Sequence, residues 1–260
     1  MTGRKIRGGR AEAEAVVCSS PLSFLGGVDT STSKILENDS GSKGLPISDK
    51  VLCFPYGKGS TVGSYAMYQL RLNKLAPAAI INTSAEPIIA TGAIIADIPM
   101  VDGIDVNLLR TGDRLVVDAD GAQVDIIDVS EKHVVTSILK NRSKILLLQR
   151  SDRVGSFRSQ WAGVSGFIEH GETDDEAVRR EMEEEVGSNK LRLLEHGETR
   201  CFRDGKVVWC VHPFMFEVRD PQIRTDWEHK KFEWVDPEDV SQYPTVPGLQ
   251  EVVSALLCRR

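Results

Sequence analysis

Apolar runs broken by glycine and serine dominate the first half of the chain. They occupy residues 50–65, 76–103 and 113–129. The last run is rich in β-branched residues, some alternating with polar positions, which is typical of strands. Its segment DADGAQ, residues 118–123, has the composition of a turn, so two strands are predicted to meet there. Residues 29–44 are polar and rich in turn formers, and we expect a surface loop.

The pattern changes near residue 130. Residues 132–151, KHVVTSILKNRSKILLLQRS, indicate two strands around a polar turn, and residues 199–218 indicate two more strands around RDGK. Residues 248–260 have the spacing of an amphipathic helix. A chain of 260 residues suits two domains of about 130 residues each. We place the boundary at 129–132 and predict domains at residues 1–130 and 131–260.

The composition is that of a globular protein and narrows the choice of partners. Hydrophobic residues make up 41% of the chain and the net charge is −6, which argues against a nucleic-acid polymer as the main partner. No apolar run reaches the ~18 residues that span a bilayer. The first residues lack the apolar centre of a signal peptide. We therefore expect a cytoplasmic protein with no membrane partner.

The cysteines show no spacing that predicts a metal site or a disulfide framework. They are odd in number, scattered, and without a CxxC pair. A reducing compartment fits this usage best. The five residues are Cys18, Cys53, Cys201, Cys210 and Cys258.

A segment dense in carboxylates, GFIEHGETDDEAVRREMEEEVG, occupies residues 166–187. Residues 174–186 contain no glycine or proline, which favours a helix. Thr173 and Glu176 have the spacing of a capping box, and Gly187 is suited to end the helix. Val178, Met182 and Val186 recur every four residues and are predicted to face the core.

The carboxylates on this helix predict a divalent metal site. Glu181, Glu184 and Glu185 are spaced i, i+3, i+4, so they meet on one side of the helix and repel one another unless a cation binds. Hard oxygen donors favour Mg²⁺ or Mn²⁺. Arg180 can hold a neighbouring carboxylate through a bidentate pair. The alternative is a solvated acidic face, which is what most charge runs form.

The segment resembles the signature motif of the Nudix hydrolases. Its glycine, acidic and arginine positions match over 22 residues, with Ser188 in place of the usual apolar residue; the matching positions are Gly166, Glu172, Arg180, Glu181, Met182, Glu184, Glu185 and Gly187. The resemblance covers residues 131–260. It implies an α/β/α sandwich and hydrolysis of diphosphate compounds. It also implies Mg²⁺ or Mn²⁺ bound by Glu181, Glu184, Glu185 and the Gly166 carbonyl.

The Nudix resemblance leaves the remaining site residues open. Glu184 is the first candidate for catalysis inside the motif, and Glu228 is the candidate outside it, as ligand or base. His229 and Glu233 are rivals of Glu228, although a surface role suits each better. Arg158 is a candidate for substrate binding, because it precedes the motif where a diphosphate could be held.

A glycine-rich stretch, FPYGKGSTVGSY, occupies residues 54–65 in the first half. It is neither a Walker A loop nor GxGxxG. Its N–H groups could bind an anion, with Gly59, Thr61 and Ser64 as substrate-binding candidates. A serine in such a loop is usually a turn residue, so Ser60 carries either a structural or a chemical role on composition alone.

Five blocks in this half together resemble the aconitase X swivel domain. They are AEAEAVV, PLSFLGGVD, GKGSTVGSY, APAAIIN and IIATGAIIADIPMVD, within residues 8–128. The resemblance implies a swivelling β/β/α domain that in archaea forms the small subunit of phosphomevalonate dehydratase. It implies that Ser60, helped by loop N–H groups and Lys58, is the catalytic base. The [4Fe–4S] cluster then belongs to a separate large subunit, and the product is trans-anhydromevalonate 5-phosphate.

The sequence thus predicts an α/β fusion, a swivel domain followed by a Nudix sandwich. Fusion suggests a shared pathway, so an isoprenoid diphosphate is one hypothesis for the Nudix substrate. The alternatives are another aconitase-X-type dehydratase acting on a different hydroxy acid, and a Nudix half that hydrolyses nucleotide diphosphates or only senses a ligand. We expect a heteromer with the large subunit and small phosphorylated substrates.

Overall fold

The structure is a computed structural model that describes residues 1–187, 191–219, 223, 225 and 227–258, apart from the side chain of Asp39. Ser188, the departure from the Nudix pattern, lies outside these residues. The chain divides into two compact units, Met1–Val129 and Ser130–Arg260. Across the described ranges, every helix is too short or too polar to cross a membrane.

The first unit contains seven strands and two helices. The strands are β1 (Arg4–Arg7), β2 (Arg10–Val17), β3 (Val51–Phe54), β4 (Ala79–Asn82), β5 (Met100–Asp102), β6 (Arg114–Asp118) and β7 (Gln123–Ile126). The helices are α1 (Val62–Leu72) and α2 (Pro87–Ile95), with short 3-10 turns at Asn38–Ser40 and Val106–Leu108. The strand order is β1-β5-β4-β3-β2-β6-β7.

Strand β2 connects two parts of this sheet and so creates two cores. Residues 10–14 pair antiparallel with β6, whereas residues 15–17 pair parallel with β3. On one face, Phe54 of β3 belongs to the same core as Met67 of α1 and Ile89 of α2. On the other face, Cys53, Leu115 and Val124 form a second core beneath β6 and β7. The result is a β/β/α arrangement, which confirms the predicted fold class of this half.

Within its described residues, the second unit is built on eight strands and two helices. The strands are β8 (Ser130–Asn141), β9 (Lys144–Arg150), β10 (Trp161–Ala162), β11 (Val164–Phe167), β12 (Arg192–His196), β13 (Arg200–Asp204), β14 (Val207–Glu217) and β15 (His229–Val235). The helices are α3 (Asp174–Val186) and α4 (Leu249–Cys258), and a 3-10 helix spans Pro237–Gln242. The central strands β8 and β14 are parallel.

The two helices cover opposite faces of this sheet. Val178 and Met182 of α3 pack with Phe214 and Leu148 on one face. On the other face, α4 packs against Met215 and its neighbours. A sheet between two helices is the α/β/α sandwich that the sequence predicted, and the fold class of this half is confirmed.

Helix α3 begins and ends as its sequence predicts. The Thr173 hydroxyl accepts from the Glu176 backbone N–H, and the Glu176 carboxylate accepts from the Thr173 N–H. Gly187 ends the helix in the left-handed region, at φ 64°. These contacts are local in sequence, so the helix starts at a defined residue and presents its acidic side at a fixed position.

The absence of a disulfide, as inferred from cysteine spacing, is wrong at one place. Cys201 on β13 lies directly opposite Cys210 on β14 and is joined to it by a disulfide, with Cα atoms 4.2 Å apart. The hairpin around RDGK produces this register. Spacing rules for CxxC motifs do not detect such a pair, because its members meet only across two strands.

Candidate functional sites

The glycine-rich loop leaves the carboxyl end of β3 and enters α1. Gly59 has φ +115°, a conformation that disfavours any side chain, and a Cβ there would lie 3.0 Å from Ser23 Oγ. The Lys58 N–H donates to the Leu22 carbonyl, at 3.0 Å. Residues 22–23, from a distant block of the sequence, therefore hold this loop in place.

The structure places Ser60 and Thr61 on the exposed surface of the loop, at the start of α1. Ser64 is buried, and its hydroxyl donates to the Thr61 carbonyl at 2.7 Å. Lys58 Nζ lies 3.0 Å from Glu37 Oε2, so its charge is shared with that carboxylate. Of the predicted residues, Gly59, Ser60 and Thr61 are exposed, whereas Ser64 is buried and its hydroxyl supports the loop.

Sequence reasoning missed Glu86 beside the same loop. A Cβ on Gly57 would overlap the Glu86 carboxylate and Ile89, so the loop backbone touches both. Glu86 Oε1 is buried and has no hydrogen-bond partner among the described residues, and burial raises the pKa of this carboxyl. Such a group can hold or accept a proton next to the loop. Only its position before Pro87, where a helix could start, marks it in the sequence.

The cysteines of the first unit do not fit an iron–sulfur cluster. Cys18 and Cys53 are fully buried within opposite hydrophobic cores. Burial raises the pKa of the Cys18 thiol to about 12, and it raises that of Cys53 as well. Cluster ligands are thiolates, usually four. This unit therefore offers no ligand set of its own.

In the second unit, Arg180 organises the acidic site. Its Nε and Nη2 donate to the Glu172 carboxylate at 3.0 Å each, and Nη2 also donates to the Phe167 carbonyl at 2.9 Å. Its Nη1 donates to Glu181 Oε1 at 2.5 Å. The guanidinium beside Glu172 holds the pKa of that carboxyl below its usual range. Arg180 thus fixes the loop before α3 and the first carboxylate of the helix together.

Gly166 and Glu181 touch across the site. A side chain at Gly166 would overlap the Glu181 carboxylate where it now lies and would force that carboxylate to move. Glu181 is 9% exposed, and its burial raises the pKa of its carboxyl despite the neighbouring Arg180. A carboxylate desolvated in this way gains from a cation.

The other two acidic residues of the motif differ in environment. Glu184 is open to solvent, with Oε2 3.8 Å from Arg180 Nη1. Glu185 is buried, and its Oε2 lies 3.9 Å from His229 Nε2. The expected surface role of His229 is wrong, because its side chain is 1% exposed beneath the site. Glu233 is partly exposed, and its carboxylate accepts hydrogen bonds from Lys231 Nζ and the Tyr243 hydroxyl.

The Glu228 side chain approaches this cluster from the loop before β15. Its carboxylate lines the same cavity as Glu181 and Glu184, and its charge raises the pKa of Glu181. The Glu228 carbonyl accepts from the Ser151 N–H at 2.6 Å, which fixes the loop to the end of β9. Glu228, which follows Glu184 by 44 positions along the chain, thereby lies beside the motif carboxylates.

These residues fit a hard divalent cation. Gly166, Glu181, Glu184 and Glu228 line one cavity, and Glu185 lies below it on the same helix. Carboxylate and carbonyl oxygens are the donors that Mg²⁺ and Mn²⁺ prefer. The tight contact between Gly166 and Glu181 positions the strand beside the helix carboxylate.

An aromatic cavity of about 620 Å³ adjoins these carboxylates. Phe157 and Phe167 lie 5.4 and 6.0 Å from the Trp209 ring, and Lys132 Nζ lies 5.4 Å from the Phe167 and Trp209 centroids. Trp209 Nε1 is buried and makes no hydrogen bond within the described part of the chain. Sequence reasoning missed this group, because its members come from four separate segments.

Of the three arginines that shortly precede the motif, two line the cavity and one lies on the surface. Arg150 and Arg153 line the cavity, whereas Arg158 does not. The Arg158 Nε donates to the Val154 carbonyl at 3.0 Å. The structure therefore brings two neighbouring arginines to the cavity, and it places the chosen substrate-binding residue outside.

Comparison with known proteins divides the chain in the same way. Residues 1–126 match the aconitase X swivel domain, and residues 131–256 match the NUDIX domain, which generally uses a divalent metal. The phosphomevalonate dehydratase small subunit of Thermococcus kodakarensis is 55% identical over 131 residues, covering 50% of this chain and 98% of the relative. Its counterpart in Methanosarcina mazei is 46% identical, covering 50% and 92%.

Solved structures resemble each half. The holo-form of aconitase X from Thermococcus kodakaraensis is 56% identical and has a TM-score of 0.48; the match covers 48% of this chain and 96% of that one. The MutT protein from Methanosarcina mazei is 21% identical and has a TM-score of 0.45, covering 49% and 94%. By its sequence relatives, the chain belongs to the aconitase X swivel family in its first half, and its second half matches the NUDIX domain.

Proposed function

We propose that the first unit is the small subunit of a hydro-lyase that dehydrates mevalonate 5-phosphate to trans-anhydromevalonate 5-phosphate. The observation that carries this proposal is the exposed Ser60 on a loop whose backbone is fixed by Gly59 and residues 22–23. The identity of 55% along nearly the whole of a phosphomevalonate dehydratase small subunit supports the substrate.

The chemistry assigns Ser60 the role of base. Dehydration removes a proton from carbon and hydroxide from the neighbouring carbon. Ser60 Oγ, as the alkoxide, takes the carbon-bound proton. A [4Fe–4S] cluster held by the large subunit would supply the Lewis acid for the departing hydroxide. Gly59 and Thr61 flank the serine, where their backbone N–H groups can meet the substrate's anionic groups.

An apolar stripe beside Ser60 is the surface we assign to the large subunit. Val62, Tyr65, Tyr68 and Leu72 recur every three or four residues along α1 and are 47%, 70%, 42% and 58% exposed. A stripe with this spacing lies along one side of the helix. Aromatic residues exposed in this way are enriched at protein interfaces. Docking there would bring the partner's cluster towards Ser60.

Reconstitution tests this proposal. We expect the chain mixed with the large subunit to dehydrate mevalonate 5-phosphate, and Tyr65→Glu to weaken the association without unfolding the unit. Hydroxyproline-type acids serve as competing substrates. Conversion of those acids, with mevalonate 5-phosphate untouched, would favour another aconitase-X-type dehydratase.

We propose that the second unit is a Mg²⁺- or Mn²⁺-dependent diphosphate hydrolase. Glu181, Glu184, Glu185 and the Gly166 carbonyl would hold the metal, which lowers the pKa of a bound water and polarises phosphorus. Glu228 faces the same cavity and is the base or an additional ligand. Arg150 and Arg153 provide positive charge for the phosphates.

The cavity favours a nucleoside diphosphate compound over an isoprenoid diphosphate. Phe157, Phe167 and Trp209 provide ring faces for stacking, and Lys132 adds a cation. The Trp209 N–H, which has no partner among the residues that the structure describes, requires an acceptor. A nucleobase supplies both a flat ring and acceptor atoms, whereas an isoprenyl chain has no acceptor.

A substrate panel with Mg²⁺ tests this choice. We expect nucleoside diphosphate compounds to be cleaved and isopentenyl diphosphate not to be. Trp209→Phe should raise KM about 5-fold, the value of one lost hydrogen bond of about 1 kcal/mol, with Trp161→Phe in the core as the control. Equal KM for the wild type and Trp209→Phe, or preference for isopentenyl diphosphate, would reject the nucleobase assignment.

A further inference from the structure

A row of metal-ligand side chains crosses three neighbouring strands of the second unit. Cys210 on β14 lies opposite Cys201 on β13, and it pairs in register with His133 on β8. Paired residues point to the same side of a sheet, and neighbouring strands are about 4.8 Å apart. Two sulfurs and an imidazole are therefore adjacent on one face.

Glu131 adds an oxygen donor to this row. It precedes His133 by two residues on the same strand, so both side chains share a face. The ligand atoms of Glu131, His133 and Cys210 all lie within 4.8 Å of one another. Glu131 and His133 are exposed, whereas Cys210 is 4% exposed, so a cation can reach the carboxylate and imidazole from solvent.

Hydrogen bonds hold the His133 ring in a defined orientation. Its Nε2 lies 2.8 Å from Glu131 Oε1, and its Nδ1 lies 3.0 Å from His212 Nε2. His212 Nδ1 in turn lies 3.4 Å from Asp174 Oδ2 at the start of α3. Metal-binding histidines commonly donate their second ring N–H to such a partner.

This cluster is separate from the carboxylate site. Trp209 and Lys132, one residue before Cys210 and His133, point to the opposite face of the sheet and line the aromatic cavity. Asp174, which His212 contacts, precedes Glu181 on α3 by nearly two turns, about 10 Å along the helix. The donors also differ in kind, since sulfur and imidazole favour zinc, whereas the carboxylates favour magnesium or manganese.

We propose that Cys201, Cys210, His133 and Glu131 form a second metal site, for Zn²⁺ or a cation of similar softness, which the Cys201–Cys210 disulfide closes. A dithiol reductant cleaves the disulfide, giving two cysteine thiols and the oxidised reductant. The cation then replaces the two thiol protons, which are released to solvent, and binds both thiolates. In the reverse direction a disulfide oxidant accepts the two electrons and leaves as two thiols, while the Cys201–Cys210 disulfide re-forms and the cation is released.

Such a cation would join three strands and, through His133, His212 and Asp174, contact the first turn of α3. In the oxidised form the disulfide links β13 to β14, which also pair as neighbouring strands, and does not extend to β8. The redox state of Cys201 and Cys210 would thus decide whether a metal ion or a disulfide links the strands on the face that carries α3.

Cobalt titration of the full chain tests the site. The protein is reduced, freed of reductant and titrated with Co²⁺ in excess Mg²⁺, which occupies the carboxylate site. Absorption by thiolate-to-cobalt charge transfer is measured, because only cysteine ligands produce it. We expect one equivalent to bind to reduced protein and none to oxidised protein, with displacement of Co²⁺ by Zn²⁺.

Four variants complete the experiment. Cys201→Ser and Cys210→Ser should weaken or abolish the band, and His133→Gln, at an exposed position, should lower the affinity at least about 10-fold. Cys258→Ser, at the exposed cysteine outside the site, should bind like the wild type. The proposal is overturned if the protein gives no charge-transfer band after thiol counting shows that reduction has released two more reactive thiols. It is also overturned if His133→Gln and Cys210→Ser bind Co²⁺ as tightly as the wild type.

Discussion

The two candidate sites differ in how much of the chemistry each unit carries. In the second unit, Arg180, three helix carboxylates and a cavity occur together. In the first unit, a serine stands exposed on a loop, and the unit offers no cluster ligand among its buried cysteines. On the proposed functions, we therefore expect the second unit to act alone and the first unit to need a partner to complete its site.

The means of positioning differ as well. Charge-assisted hydrogen bonds from Arg180 hold the acidic site. Steric fit holds the serine loop, through Gly57 against Ile89 and Gly59 against Ser23. Substitutions that remove charge should therefore impair the acidic site most. Substitutions that add side-chain volume should impair the serine loop most.

The largest effect is expected from Ser60→Ala. With the large subunit present, dehydration should fall about 10²–10⁴-fold, which is the contribution of a general base. Hydrolysis by the second unit should not change. The measurement is the dehydration rate, with Ser31→Ala on a distant surface turn as the matched control. Retained dehydration in Ser60→Ala would remove the serine from the mechanism.

Glu184→Gln should produce the opposite pattern. Loss of one carboxylate charge should lower hydrolysis by at least about 100-fold, above what an outer partner contributes. Dehydration should remain at the wild-type rate. Phosphate release and Mg²⁺ affinity are measured, with Glu183→Gln as the neighbouring control. If Glu184→Gln leaves hydrolysis intact, the unit works as a sensor or uses other ligands.

Arg180→Gln should have an intermediate effect, because Arg180 acts through other groups. We expect a loss of about 10–100-fold in hydrolysis, caused by release of Glu172 and Glu181 from their fixed positions. Higher Mg²⁺ should restore part of the rate. Arg179→Gln on the same helix is the control. An equal loss in both variants would indicate a general effect of charge.

The smallest effect concerns the stability of the first unit in acid. Asp102 is 2% exposed, and hydrogen bonds from Arg4 hold the pKa of its carboxyl below the usual range. A lowered folded-state pKa stabilises the fold above the unfolded pKa of about 3.9, and this stability is lost as pH falls through the lower value. Asp102→Asn should cost about 1–3 kcal/mol at pH 7.

Urea unfolding between pH 2 and 7 measures this prediction. The wild type should lose stability below about pH 4, and the variant should show a flatter acid limb. Asp105→Asn, on an exposed 3-10 turn, is the matched control. A variant with the same acid dependence as the wild type would show that Asp102 does not set it.

Local sequence predicted what local contacts determine. The capping box of Thr173 and Glu176, the C-terminal Gly187 and the core face of α3 follow from residues within four positions of one another. The families and fold classes are likewise confirmed. The catalytic and metal-binding roles of the named residues stay predictions, since geometry alone does not test a reaction.

What the sequence missed depends on pairing between distant segments. His229 beneath Glu185, Glu86 beside Gly57 and the Cys201–Cys210 disulfide all form across strands or loops. The aromatic cavity combines segments as far apart as Lys132 and Val252. No periodic pattern within one element carries this information, because strand order and register decide it.

One measurement tests the central claim that one chain carries a self-contained site and a partner-dependent site. The purified chain is assayed for hydrolysis with Mg²⁺ and for dehydration of mevalonate 5-phosphate, with and without the large subunit. The account predicts hydrolysis in both samples at the same rate, and dehydration only when the large subunit is present. Dehydration by the chain alone, or hydrolysis that requires the large subunit, would contradict it.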